Sequence, residues 1–146
     1  MIRLEIVDED NFDEVLAIQL ARKDQRRVAS VEYSLAQTWL YRDDRLLSPY
    51  AILSNQKVVG FLLLSITPEN TYFIWRLLID QRYQNRGYGK EVIQWVLDRA
   101  KKDEKCQKII ASYVIGNHKM RYILDKFGFQ TIGMVGNEIK MERLVY

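Results

Sequence analysis

The chain alternates between two hydrophobic periods, and the alternation outlines its elements. Met1 to Val7 places Ile2, Leu4 and Ile6 at every second position, the period of a half-buried strand. From Asp10-Asn11 the spacing changes. Phe12, Val15, Leu16 and Leu20 fall on one helical face, and the polar pair before them suits a helix start. A charged stretch, Arg22 to Arg27, follows, and Ser34 to Leu40 reads as a second helix ending in a surface turn at residues 42 to 45. Tyr50 to Leu53 and Val58 to Ile66 read as strands joined by a tight turn at Asn55-Gln56, and Gly60 sits inside the second strand. After a turn at Pro68-Glu69-Asn70, Tyr72 to Asp80 is almost continuously apolar or aromatic, which predicts a strand buried on both faces.

The second half repeats the switch of period. Tyr88 to Lys101 carries Val92, Ile93, Val96, Leu97 and Ala100 at helical spacing. Lys108 to Val114 reads as a strand. Asn117 to Phe127 reads as a helix stopped by Gly128. Phe129 to Val135 and Glu138 to Leu144 form a hairpin around Gly136-Asn137. The order β-α-α-β-β-β-α-β-α-β-β, without linker or repeat, predicts one mixed α/β (α+β) domain over residues 1 to 146.

Composition narrows the function classes. Net charge is +3, from 22 basic and 19 acidic residues interleaved along the chain, so the stripe expected of a nucleic-acid binder is missing. No apolar run approaches the roughly 18 residues needed to span a bilayer, and the N-terminus lacks the regions of a signal peptide. One cysteine, Cys106, without a partner in the chain, points to a reducing cytoplasm. With one Cys and one His, His118, a structural zinc site is not expected, nor is any other metal.

The informative segment is Ile79-Asp80-Gln81-Arg82-Tyr83-Gln84-Asn85-Arg86-Gly87-Tyr88-Gly89-Lys90, which leaves a strand and enters a helix. Gly87 and Gly89 let a ligand approach the backbone without a Cβ in the way. The first helical amides have no internal partner and stand at the positive end of the helix dipole, a ready site for a pyrophosphate. Arg82, Arg86 and Lys90 supply charge. The three-glycine dinucleotide fingerprint fails at Val92, and no P-loop pattern is present.

Gln84-Asn85-Arg86-Gly87-Tyr88-Gly89 resembles the Q/R-x-x-G-x-G/A signature of the GNAT acyl-CoA N-acyltransferases, and the element order matches along nearly the whole chain. Lys126-Phe127-Gly128-Phe129 is similar to a late segment of that family, and Asn117 to its helix-starting asparagine. Val28-Ala29-Ser30, Ser34 to Trp39 and Trp75-Arg76 resemble the bacterial spermine/spermidine (diamine) N-acetyltransferases within it. The resemblance implies a GNAT-like domain whose mostly antiparallel sheet splays between the fourth and fifth strands. It implies acetyl-CoA as co-substrate and a small-molecule amine, a polyamine among the options, as acceptor. It places the pantetheine arm on Leu77, Leu78 and Ile79. The pyrophosphate falls on Gln84, Asn85, Arg86, Gly87, Tyr88, Gly89 and Lys90, with Asn117 either touching the arm or capping its own helix.

The resemblance leaves the catalytic groups unassigned. Leu124 stands where many members carry a general-acid tyrosine, and Tyr122 lies roughly 200° around the helix from it. Some members use a glutamate on the strand before the turn, where this chain has Trp75 and Arg76. Glu32, Tyr33 and Tyr122 remain as candidates. Tyr41, Tyr72 and Tyr113 read as packing aromatics, as do Trp39, Trp75 and Trp95, and Cys106 has no activating neighbour. A polycationic acceptor calls for acids, for which Glu32, Asp43, Asp44 and Asp80 are available. An antibiotic, an amino acid or a protein N-terminus as acceptor stays open, as does a non-catalytic acyl-CoA-binding module. The C-terminal strand, if it forms a sheet edge, would pair between subunits in a homodimer.

Overall fold

In a computed structural model, residues 1–22 and 29–146 are described. Residues 23–27 of the charged stretch and Val28 of the Val28-Ala29-Ser30 resemblance therefore fall outside the described residues. The elements are β1 (Arg3–Ile6), α1 (Phe12–Leu16), α2 (Val31–Leu40), β2 (Leu46–Ser54), β3 (Lys57–Ile66), β4 (Tyr72–Ile79), α3 (Tyr88–Lys102), β5 (Lys108–Val114), α4 (His118–Lys126), β6 (Gln130–Val135) and β7 (Glu138–Leu144). A short 3-10 turn, Gln81–Tyr83, follows β4.

The strands form one seven-stranded sheet in the order β1-β2-β3-β4-β5-β7-β6. Alternation along β2 sends Tyr50 and Ile52 to one face and Ala51 and Leu53 to the other. The first face packs on α3 through Val92, Ile93, Val96, Leu97 and Ala100, and on α4 through Leu124. The second packs on α1 and α2 through Val15 and Val31. Sandwiched between these layers, β3 is the strand buried on both faces, from Val58 to Ser65.

That property was expected of Tyr72 to Asp80. There, Phe73, Trp75, Arg76, Leu77 and Ile79 are only half-buried, because β4 borders a gap in the sheet. All neighbouring strands pair antiparallel except β4 and β5, which pair in parallel through only Tyr72↔Ile109, Phe73↔Ile110 and Ile74↔Ala111. Beyond Ile74 the two strands diverge, as anticipated.

The C-terminal strand does not form an edge. β7 pairs with β5 from Lys108↔Leu144 to Val114↔Glu138 and with β6 on its other side, so β6 is the edge. The physical reason is Met141, whose side chain is 2% exposed and fills the core opposite Ala111, whereas every residue of β6 is exposed.

Two ends follow local rules closely. Gly128, at φ 83°, closes α4 with paired bonds from its own amide to the Asp125 carbonyl and from the Phe129 amide to the Leu124 carbonyl, the double bond of a glycine C-cap. Ser30 caps α2, its hydroxyl accepting from the Tyr33 amide at 3.1 Å, so this helix begins earlier than Ser34.

Candidate active site

The site is built around the diverging end of β4. Its register with β3 slips between Leu63↔Arg76 and Leu64↔Ile74, leaving Trp75 as the extra residue of a β-bulge. The bulge breaks alternation. Trp75 joins the core beneath α1 and α2, and the next residue, Arg76, reaches the same side, where its Nη2 donates to Gln37 Oε1 on α2 at 3.1 Å. Alternation then resumes, with Leu77 and Ile79 toward α3 and Leu78 toward α1.

The backbone of β4 has one free side. The Asp80 amide donates to the Val59 carbonyl at 2.8 Å, and the Leu78 carbonyl faces Gly60 so closely that a Cβ there would lie 2.4 Å from it. Asp80 and Leu78 thus turn their polar groups to β3, so Leu77 and Ile79 turn theirs to the gap. The carbonyls at either end of this stretch are engaged by side chains: Arg76 Nη1 donates to the Trp75 carbonyl and Gln84 Nε2 to the Ile79 carbonyl. Leu77 lies between them.

The turn after β4 is held by Asp80, which is fully buried. Its carboxylate accepts from the Gln19 amide at 3.1 Å, the Arg82 amide at 2.9 Å, and Arg82 Nε and Nη2 at 3.0 and 2.9 Å. Burial works against its charge, but these bonds, led by those from Arg82, outweigh it and hold the carboxyl below the usual carboxylate range. Arg82, expected to face a phosphate, is thus engaged by Asp80 instead.

Asn85 and Gly87 both adopt left-handed backbone, at φ 66° and 84°, and bring the chain into α3. The first helical bond runs from the Glu91 amide to the Gly87 carbonyl, so the amides of Tyr88, Gly89 and Lys90 lie ahead of the ladder. A groove of about 390 Å³ runs past them, bordered by Leu77, Ile79, Gln84, Asn85, Gly87 and Lys90 on one side. Asn117, Lys119, Met120, Tyr122 and Ile123 border the other. The Arg86 guanidinium stays outside, 5.3 Å from the Tyr83 ring centre. The Tyr88 hydroxyl donates to Ser54 Oγ at 3.1 Å, so its side chain braces the helix start against β2. Leu78 faces the opposite core and can offer the groove nothing from its side chain. The α4 residues Lys119, Met120 and Ile123 were not foreseen, because only the packing of α4 on α3 brings them here.

A second cavity, of about 280 Å³, opens where β4 and β5 part. Leu77, Asn117 and Met120 border both spaces, so the groove runs into the gap. The Asn117 side chain accepts from the Met120 amide at 3.3 Å; it caps α4 while standing at this junction. The cavity is also lined by Trp75, Arg76 and Glu138, and by Tyr113, which packs with the core on the α3 side. Arg76 Nε is buried there without a hydrogen-bond partner. Burial pushes this guanidinium below its ordinary value, against the pull of Glu138 and then Tyr33.

The other chemical candidates lie apart. Glu32 borders a shallow groove with Ser30 and Gln81, Asp43 and Asp44 flank the end of α2, and Asp80 is taken by Arg82. The four acids do not converge. Tyr122 is exposed on the turn groove, with Lys90 Nζ 5.7 Å from its ring centre, and does not border the cavity. Leu124 is fully buried in the core. Cys106 is also fully buried, and burial raises its thiol pKa. His118 is an exposed first residue of α4. No cluster of metal-ligating side chains occurs among the described residues, and no helix among them is long and apolar enough to cross a membrane.

The acetyltransferase (GNAT) family profile matches residues 13–129. The chain belongs to this family. Among curated GNAT relatives it is 24% identical over 139 residues to a spermine/spermidine N(1)-acetyltransferase of Bacillus subtilis, with 90% of each chain covered. Among solved structures it resembles a spermidine N-acetyltransferase of Vibrio cholerae in complex with CoA and spermine, at a TM-score of 0.77 and 15% identity over 98% of this chain and 95% of the other. It resembles an aminoglycoside acetyltransferase in complex with coenzyme A as well, at a TM-score of 0.78 and 13% identity over 99% and 95%. Two acceptors so unlike on one GNAT scaffold mean that the scaffold alone does not choose between them.

Proposed function

We propose that this GNAT protein transfers an acetyl group from acetyl-CoA to a primary amine of a small molecule by direct attack, with a polyamine such as spermidine as first choice of acceptor. One observation carries the transfer: the groove past the free amides of Tyr88 to Lys90 continues, at Leu77 and Asn117, into the gap beside β4. The diphosphate of CoA fits those amides and the positive end of α3. An extended pantetheine arm pairs with the Leu77 backbone and the Ile79 amide as an added strand would, while Leu78 only supports the fold. The acetyl thioester then lies in the gap, where the Leu77 amide can polarise its carbonyl. Gln84, Asn85, Gly87, Gly89 and Asn117 line the path, and Arg86 and Lys90 add positive charge at its outer end.

The polyamine choice rests on the relatives named for spermine and spermidine. The test is purified protein incubated with acetyl-CoA and a panel containing spermidine, spermine, putrescine, an aminoglycoside and amino acids, with free thiol followed. Turnover on spermidine is expected. Turnover confined to the aminoglycoside or amino acids would move the acceptor and leave the transfer reading intact. Leu124, buried without a hydroxyl at the usual tyrosine position, favours a second reading, a non-catalytic acyl-CoA-binding module. Calorimetric CoA binding without turnover on any amine would select it.

A further inference from the structure

The acetyl-transfer reading leaves one step without a residue. An alkylamine with a pKa of about 10.4 arrives protonated at neutral pH and must lose a proton before its nitrogen can attack. Neither Glu32 nor Tyr122 borders the cavity where that happens. Among the described residues, the cavity where β4 and β5 part is lined by a single carboxylate, Glu138. It begins β7, opposite Val114, where the divergence of β5 from β4 leaves it facing the gap. It is exposed, and among the described residues it closes no ion pair. Its charge is nonetheless felt by Arg76 across the cavity.

We propose that Glu138 receives the acceptor's ammonium at the gap and takes its proton. The groups around it suit that task. Arg76 from β4 presents a buried Nε without a partner and also feels Tyr33 on α2, Tyr113 on β5 lines the same cavity, and Lys140 lies two residues along on the same face of β7. The two cations disfavour an ammonium beside them, so the amine gives up its proton more readily at this point of the gap. The ammonium gives its proton to Glu138. The freed lone pair forms the N–C bond to the thioester carbonyl carbon, the C–S bond breaks, and CoA leaves as thiolate. The second amine proton passes to that thiolate, giving an acetamide and the CoA thiol. Glu138, at the exposed mouth, returns its proton to water.

The inference rests on the acetyl-transfer reading, and the test separates the two. Wild-type protein and Glu138→Gln are assayed with acetyl-CoA and spermidine from neutral to alkaline pH, and CoA affinity is measured by calorimetry. Glu138→Gln should lose about 100-fold in kcat/KM at neutral pH. CoA affinity should stay within about twofold, since Glu138 is absent from the groove. The deficit should shrink as pH rises toward the amine's own pKa, because solution then supplies the neutral amine. Glu138→Asp should recover part of the rate. A deficit equal at every pH, a rise in KM with kcat unchanged, or activity within about threefold of wild type would each overturn the assignment while leaving the transferase reading standing. Wild-type protein inert toward every amine of the panel would remove that reading and this inference with it.

Discussion

Asp80 shows how one buried carboxylate can govern a binding turn it never enters. It accepts four hydrogen bonds, from the Gln19 amide before α2 and from the Arg82 amide and guanidinium after β4, and so fastens the start of the turn to the strand. Because those partners hold its pKa below the unfolded value of about 3.9, the unfolded chain takes up the proton first on acidification. The stabilisation is therefore complete above roughly pH 4 and is lost as pH falls through the folded-state value. Asp80→Asn should cost about 2 kcal/mol at neutral pH. The gap in Tm between wild type and variant should narrow as the pH is lowered in thermal melts. A gap that is constant with pH would mean that the carboxylate's charge contributes nothing.

Elements were legible where local chemistry decides them. The glycine cap at Gly128, the apolar face of α3 and the strand–turn–helix run from Ile79 to Lys90 all stand where the pattern put them. What stayed hidden depends on neighbours distant in sequence. β2 extends back to Leu46 through Pro49, which nothing local predicts. The bulge at Trp75 and the internal place of β7 are decided by pairing partners, so Glu138 carries no local sign of its position at the gap. The two glycines of the turn looked alike in sequence but differ in the structure. Gly87 needs its left-handed backbone, so an alanine there is strained by about 1 kcal/mol. At Gly89 a Cβ would only touch Ile123 Cδ1 at an ordinary 3.5 Å. Gly89→Ala should therefore keep or raise Tm, since it stiffens a helix start by about 0.5–1 kcal/mol. If the diphosphate rests against this backbone, the same change should weaken CoA binding by about tenfold in calorimetry. Undiminished affinity would move the diphosphate away from Gly89.

On the scale of the molecule, the sheet is two antiparallel blocks, β1 to β4 and β5 to β7, joined by three parallel residue pairs. The gap beyond those pairs is where the proposed arm of acetyl-CoA becomes a strand between the blocks, so binding should complete the sheet as well as fill a groove. Hydrogen exchange can read this directly. In the free protein the Leu77 and Ile79 amides face the gap and should exchange fast, while Asp80, bonded to Val59, and Leu78, facing β3, should exchange slowly. Saturating CoA should slow Leu77 or Ile79 and leave Leu78 and Asp80 protected as before. The added strand should also stabilise the fold by mass action, by about 2.7 kcal/mol when free CoA stands at 100 times its Kd. A ligand held only by the turn would raise Tm in the same way, so Tm does not discriminate between the two binding modes. Protection confined to Tyr88 to Lys90, with Leu77 and Ile79 still exchanging freely, would show that the diphosphate binds while the arm lies off the strand, and the route by which the thioester reaches Glu138 would have to be redrawn.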